Sequence, residues 1–374
     1  MKPLAFIPRL SRSSWVTAST LLIAMVWPWS SSFAQSLPAK QRPAQASPAN
    51  AEAAPFRYAA DAEAMTFAID LAMRRDLSPD WVKQQLGQAE RLPQAIRLMR
   101  PAPRGTSKNW AAYRARFIEP IRIQAGREFW VDNRAWLERA QAEFGVPASL
   151  IVGVIGVETL YGQHTGNFRV IDALTTLAFD FPSEHPRAKE RSEFFKAELE
   201  QFLSLTERSG MDPQALLGSY AGAMGWPQFM PSSWIKYAID FDGDGRVDLF
   251  NSKADVIGSV ANYFVAHGWQ RGMPTHYPVS LSSNPADLDA LLAPDILPTF
   301  SVASFAAKGA RLEGLALLHT GNLALVELEN GDAPRSYVAG TDNFYTVTRY
   351  NWSSYYAMAV IELGQTIAAQ LPPR

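Results

Sequence analysis

Cysteine is absent from all 374 residues. Its absence excludes disulfides, thiol nucleophiles, zinc-thiolate sites and a lipid-modified N-terminal cysteine, and it is compatible with an oxidising compartment without requiring one. An excess of either charge is missing too: 35 Lys and Arg against 36 Asp and Glu leave a formal net charge of −1, so nothing points to nucleic acid or to a strongly charged partner. There is no internal repeat and no phosphate-binding glycine loop. What remains is a chain long and apolar enough, at 47% hydrophobic residues, for two or three globular domains.

The one apolar run near the N-terminus reads as an address. Lys2, Arg9 and Arg12 precede the stretch from Trp15 to Trp29, and Ser32-Phe33-Ala34 places small residues where a signal peptidase reads. A membrane-spanning helix needs about 20 apolar residues, whereas this run is short and contains Ser and Thr. Residues 1–34 are therefore expected to be a cleaved signal, leaving no stable membrane anchor. Residues 35–55, made of Ala, Pro, Gln and Ser, cannot bury enough surface to fold and are expected to form a flexible linker.

The most informative stretch is Ser149-Leu-Ile-Val-Gly-Val-Ile-Gly-Val-Glu-Thr-Leu-Tyr-Gly162. At helical period Leu150, Val154 and Glu158 fall one above another and Ile151 and Ile155 widen the stripe; Pro147 suits a helix start and Gly162 a stop. The valines leave a strand reading open, which the spacing to Gly162 disfavours. A carboxyl on that apolar side is disfavoured in its charged form and holds its proton at neutral pH, as a general acid requires. A structural hydrogen bond or ion pair is the alternative, and the segment alone does not choose.

Around it, Phe56 to Arg100 is helical in pattern, with Ala64, Phe67, Ala68 and Leu71 on one face and Ser78 as a cap. Phe117, Ile121, Phe129 and Trp136 read as core. Glu190 to Leu203 reads as an amphipathic helix on which Arg191 is either solvated or able to reach an anionic group. Ser219-Tyr-Ala-Gly-Ala-Met-Gly-Trp-Pro-Gln-Phe-Met-Pro-Ser-Ser233 is poor material for helix or strand and suits a pre-shaped wall or a compact joining loop. No carboxylate occurs from Pro213 to Ile239, so this wall brings no second acid.

Asp240-Phe-Asp-Gly-Asp-Gly245 begins like an EF-hand loop, but the twelfth position is Asn251 instead of the usual Glu. A structural calcium ion held by Asp240, Asp242, Asp244, Asp248 and the Arg246 carbonyl stands beside a metal-free Asp-Gly turn. Ala254 to Trp269 reads as a helix carrying Tyr263. A short helix is expected near Pro285–Leu292, two strands at Leu323–Glu329 and Arg335–Val338, a third at Phe344–Tyr350, and a last helix after Asn351 carrying Tyr356.

Taken together, Val157-Glu-Thr-Leu-Tyr-Gly162, Ala221-Gly-Ala-Met-Gly225, Gln228-Phe-Met-Pro-Ser-Ser233, Asp242-Gly-Asp-Gly245, Ala261-Asn-Tyr-Phe264 and Arg349-Tyr-Asn351 resemble the membrane-bound lytic murein transglycosylase B family, glycoside hydrolase family 103. The resemblance spans Phe56 to Leu371 in one consistent order. It implies a mainly α (α+β) fold: a lysozyme-like helical core over 56–270 with the EF-hand-like loop at 240–255, and a strand-bearing peripheral module over 271–374 whose last helix returns to the cleft. It further implies cleavage of peptidoglycan glycan strands between N-acetylmuramic acid and N-acetylglucosamine to a 1,6-anhydro end, in the periplasm, with no cofactor required for the chemistry.

On that resemblance Glu158 is the catalytic residue and Ser219, Gln228, Phe229, Met230, Tyr263, Tyr350, Asn351, Tyr356 and Arg191 are substrate contacts. A neighbouring arginine of some members is Glu190 here, and the lipid-bearing cysteine of the anchored members is missing. Other cell-wall enzymes remain open as partners. A hydrolytic muramidase and a non-catalytic wall-binding protein are the competing readings.

Overall fold

Two helices packed lengthwise, Ala148–Thr159 and Ser354–Ala369, form the spine of the molecule. Their close approach has a local cause. A side chain at Gly153 would collide with the Val360 carbonyl, and one at Gly364 with the Ser149 carbonyl, so each helix meets the other's backbone at a glycine. Around this pair, the computed structural model describes residues 56–101, 108–282 and 287–372, and among them lie fifteen α-helices and three small antiparallel sheets. The mainly helical class matches the expectation. The signal and linker at 1–34 and 35–55 lie outside the described residues, as does the start of the short helix expected near Pro285, which is seen at Leu288–Leu292.

The N-terminal helices follow the sequence cues closely. Ala64, Ala68 and Leu71 are buried along Ala62–Arg75, and the Ser78 side chain accepts from the Trp81 N–H to start Pro79–Gly87. Of the apolar residues expected in the core beyond Trp110, Phe129 is buried but Ile121 is 70% exposed. It sits in the first turn of Pro120–Asp132.

A hairpin of Ala324–Asn330 and Ala333–Gly340 turns at Gly331 (φ 64°), with Val326 opposite Val338, and His276–Pro278 adds a strand to its outer edge. Alternation along the first strand serves two cores. Ala324, Val326 and Leu328 join the main core, whereas Leu323 and Leu325 pack with Phe305, Leu291 and Ala339 in a smaller one. The third strand expected at Phe344–Tyr350 is instead the helix Asp342–Thr348. Thr341 caps it by accepting from the Asn343 and Phe344 N–H groups, and Phe344 and Val347, three residues apart, are both fully buried.

Because the spine tolerates no side chain at its glycine contacts, Gly364→Ala is expected to destabilise the fold by about 1–3 kcal/mol through overpacking. Chemical denaturation compared with the parent checks this; an unchanged midpoint would mean that the helices separate at no cost.

Candidate active site

Glu158 stands at the C-terminal end of the Ala148–Thr159 helix, whose residues 150–156 are all buried. Beyond it the chain makes an unusual stop: Leu160 (φ 50°), Tyr161 (φ 56°) and Gly162 (φ 84°) are three successive left-handed residues, a conformation that costs non-glycine residues energy. Packing holds it. The Thr159 hydroxyl donates to the Trp226 carbonyl and accepts from the Gly162 N–H, each at 3.0 Å, the Tyr161 ring stacks on Phe129, and Trp226 fills the space beside Gly162.

Burial pushes the Glu158 pKa up to about 7, and the Tyr356 hydroxyl, donating to Oε1 at 2.6 Å, opposes that rise. No other charged group among the described residues contributes to the shift. Protein atoms crowd the carboxyl, yet the residue keeps partial exposure; crowding sets the proton affinity and the opening is what a ligand needs. Tyr113, which the sequence did not single out, is near enough to feel this charge: burial, and then Glu158, push its hydroxyl up to about 12.

Tyr356 begins an aromatic stack behind the acid. Its ring is parallel to Tyr350 at 6.2 Å, Tyr350 lies 4.7 Å from Tyr263, and Phe229 contacts both Tyr263 and Tyr350. The other two hydroxyls are also tied down, Tyr350 donating to the Pro227 carbonyl and Tyr263 to the Arg349 carbonyl, both at 2.6 Å. Phe229 and Tyr263 are only 2% and 3% exposed, so in this structure they offer a ligand almost no surface. They brace the tyrosines that face Glu158.

The Ser219–Ser233 stretch is irregular, as its composition requires. Ser219 is buried and its hydroxyl oxygen accepts from the Ala223 N–H at 3.0 Å; Met224 and Phe229 exchange backbone hydrogen bonds. Gln228 is held at φ 51°, and its Nε2 donates to the Thr165 and Gly225 carbonyls at 3.0 Å each. That leaves its buried Oε1 without a protein donor, an acceptor aimed at an N–H or O–H not supplied by the fold. Met230 is partly buried at the start of the Pro231–Tyr237 helix, and the Asn351 carbonyl accepts from the Ser353 N–H in the turn that leads to Tyr356.

Arg191, which an amphipathic helix would be expected to expose, is only 4% exposed on Ala188–Ser209. Its guanidinium lies over the Phe181 and Phe195 rings, its Nε and Nη1 meet no protein acceptor, and burial lowers its pKa to about 10. Glu190 beside it pairs outward with Arg187.

In the EF-hand-like loop the carboxylates of Asp240, Asp242 and Asp244 lie within 4.8 Å of one another and are exposed. Three hard oxygen donors so close fit a calcium ion in kind. Asp248 lies outside this cluster; its carboxylate accepts from the Phe250 and Asn251 N–H groups and from the Asn251 side chain. With no glutamate at the twelfth position, Asp255 closes the loop, accepting from the Phe241 and Asp248 N–H groups. The Arg246 N–H donates to Asp244. The Ser252 hydroxyl reaches Asp242 and its oxygen caps the Lys253–Ala266 helix, which carries Tyr263.

Comparison with known proteins places this geometry among similar ones. Residues 59–365 match the family model described as "Transglycosylase SLT domain". The membrane-bound lytic murein transglycosylase B of Escherichia coli (strain K12) is 40% identical over 321 residues, 83% of this chain and 84% of that protein. The soluble lytic transglycosylase SltB1 of Pseudomonas aeruginosa aligns with a TM-score of 0.73 at 38% identity, covering 82% of this chain and 98% of that one. The Escherichia coli lytic transglycosylase Slt35 in complex with calcium aligns with a TM-score of 0.71 at 39% identity, covering 83% and 94%.

A carboxyl whose pKa is raised on folding contributes stability that is fully present below its usual value of 4.5 and lost as pH rises through about 7. Glu158→Gln cannot ionise, so its melting temperature is expected to exceed that of the parent at pH 8 and to differ little at pH 4. A pH-independent difference would mean that the carboxyl is not desolvated.

Proposed function

The chain belongs to the transglycosylase SLT domain family and is a lytic murein transglycosylase, and on that footing we propose how one acid cuts the glycan strand. The observation that carries the proposal is Glu158: a crowded carboxyl with a pKa near 7, a tyrosine hydroxyl on one oxygen, and no second carboxylate felt by it. A retaining glycosidase needs a second carboxylate as nucleophile and an inverting one needs a second as base. Here the substrate supplies both parts. Protonated Glu158 gives its proton to the glycosidic oxygen, the bond to the muramic anomeric carbon breaks with its electrons leaving on that oxygen, and the N-acetyl oxygen stabilises the sugar cation. The Glu158 carboxylate then takes the proton of the muramic 6-hydroxyl, whose oxygen attacks the anomeric carbon and closes a 1,6-anhydro ring.

The other residues bind and orient. The Gln228 Oε1 receives the substrate acetamido N–H or a hydroxyl, while Ser219, Met230 and Asn351 hold the shape of the recess. Tyr356 keeps Glu158 in place and limits the rise of its pKa, with Tyr350, Tyr263 and Phe229 behind it. The buried Arg191 lies over the Phe181 and Phe195 rings and, once uncovered, would offer two unpartnered nitrogens to a carboxylate of the stem peptide. Asp240, Asp242 and Asp244 would hold a calcium ion, which would neutralise their mutual repulsion beside the Ser252 cap of the Tyr263 helix; the chemistry itself needs no cofactor.

The catalytic region is residues 56–270 together with the returning Ser354–Ala369 helix, and the small second core within 271–374 is peripheral. The leader pattern at 1–34 supports a periplasmic protein acting on peptidoglycan strands.

Mass spectrometry of digested sacculi should show 1,6-anhydromuramic ends; reducing muramic ends in their place would establish a hydrolytic muramidase. Glu158→Gln should release no glycan yet still sediment with sacculi, and turnover of the parent should fall as pH rises above about 7, where the acid loses its proton. Calcium should raise the melting temperature and chelator lower it, with Asp242→Ala abolishing the difference; a melt indifferent to both would remove the ion.

A further inference from the structure

Glu198 is a carboxylate the mechanism does not use. It is 4% exposed on the Ala188–Ser209 helix and pairs with no cation at contact distance among the described residues. Both of its oxygens are directed to one residue: Oε2 accepts the Ser232 N–H at 2.9 Å and Oε1 the Ser232 hydroxyl at 2.6 Å. Burial raises its pKa, and these two hydrogen bonds, followed by the charge of Lys236, oppose the rise.

Ser232 is the second residue of the Pro231–Tyr237 helix, directly after Gln228-Phe229-Met230. No side chain of the preceding residue caps that helix, so Glu198 supplies the missing acceptor from another element. The upstream part of the same wall is fastened differently. Thr159, the neighbour of Glu158, donates to the Trp226 carbonyl, and Tyr350 donates to the Pro227 carbonyl. Between Pro227 and Ser232 lies Gln228 in its left-handed conformation, a state that persists only where surrounding contacts over-determine it. Burying an acid to hold a surface turn is costly when a serine or asparagine cap would suffice. Two turns earlier on the same helix, Arg191 lies close enough to oppose the burial-driven rise of the Tyr220 pKa near the wall's other end.

We infer that Glu198 is a positioning residue for catalysis: by gripping Ser232 it sets the placement of Gln228 and of the aromatic stack that supports Glu158. The inference rests on the reading of Glu158 and Gln228 given above. Its signature is a loss of turnover per folded molecule, because a misplaced wall harms the transition state more than initial binding of a long glycan.

The test measures kcat and KM on sacculi, with folded fraction and melting temperature, for Ser232→Ala, Ser232→Thr, Glu198→Gln and the Ser232→Ala/Glu198→Gln pair. Expected are a kcat about tenfold lower for Ser232→Ala with KM within about twofold, near-normal turnover for Ser232→Thr, and a double variant no slower than Glu198→Gln alone. Normal kcat per folded molecule in Ser232→Ala and Glu198→Gln, or losses that multiply in the double variant, would overturn the inference. Glu158→Gln is assayed alongside: continued glycan release there defeats the underlying mechanism whatever the Glu198 variants do.

Discussion

The contact between the Tyr356 hydroxyl and the Glu158 carboxyl is the constraint on which the rest of the structure depends. An acid pressed into an apolar helix face would, by desolvation alone, hold its proton too tightly to give it up readily as an acid. A hydroxyl 2.6 Å away favours the ionised form and brings the two states close in energy near neutrality. That contact joins residues 198 positions apart, and it exists because the two spine helices lie side by side with glycines at their closest points. The fold is, in this sense, the means by which one phenol is brought to one carboxyl.

The surrounding layers each restrict that pair further. Successive left-handed residues end the helix abruptly after Glu158, so the chain turns away at once. The aromatic stack fixes Tyr356 from behind through rings whose own hydroxyls are bound to backbone carbonyls. Rigidity of this kind is what the proposed single-acid mechanism needs for geometry to contribute much of the rate.

Legibility in the sequence followed the range of the interaction. The Glu158 helix could be read because an apolar stripe, a starting proline and a stopping glycine all lie within one segment, and the ordered motifs then identified the fold. Short-range rules failed at Phe344–Tyr350, where a run of aromatic and β-branched residues suggests a strand but a threonine cap and burial of both Phe344 and Val347 make a helix. They failed again at Arg191, whose burial is decided by Phe181 and by its own helix neighbour Phe195. Phe229 and Tyr263, expected as substrate contacts, lie behind the tyrosines that face Glu158, and Tyr113 and Glu198 gave no local signal because their partners are distant in the chain. Asp248 looked like a ligand by spacing, yet its own turn binds it.

The strand Ala324–Asn330 has a consequence for how disturbances travel. Its two faces belong to different cores, and the Tyr355 hydroxyl accepts from the Glu329 N–H and donates to the Glu329 carbonyl, one residue from Tyr356. The outer module is thus joined through one strand to the neighbour of Tyr356. The small core therefore reaches, through the opposite face of one strand and the Tyr355 hydroxyl, the residue next to the phenol that hydrogen-bonds Glu158.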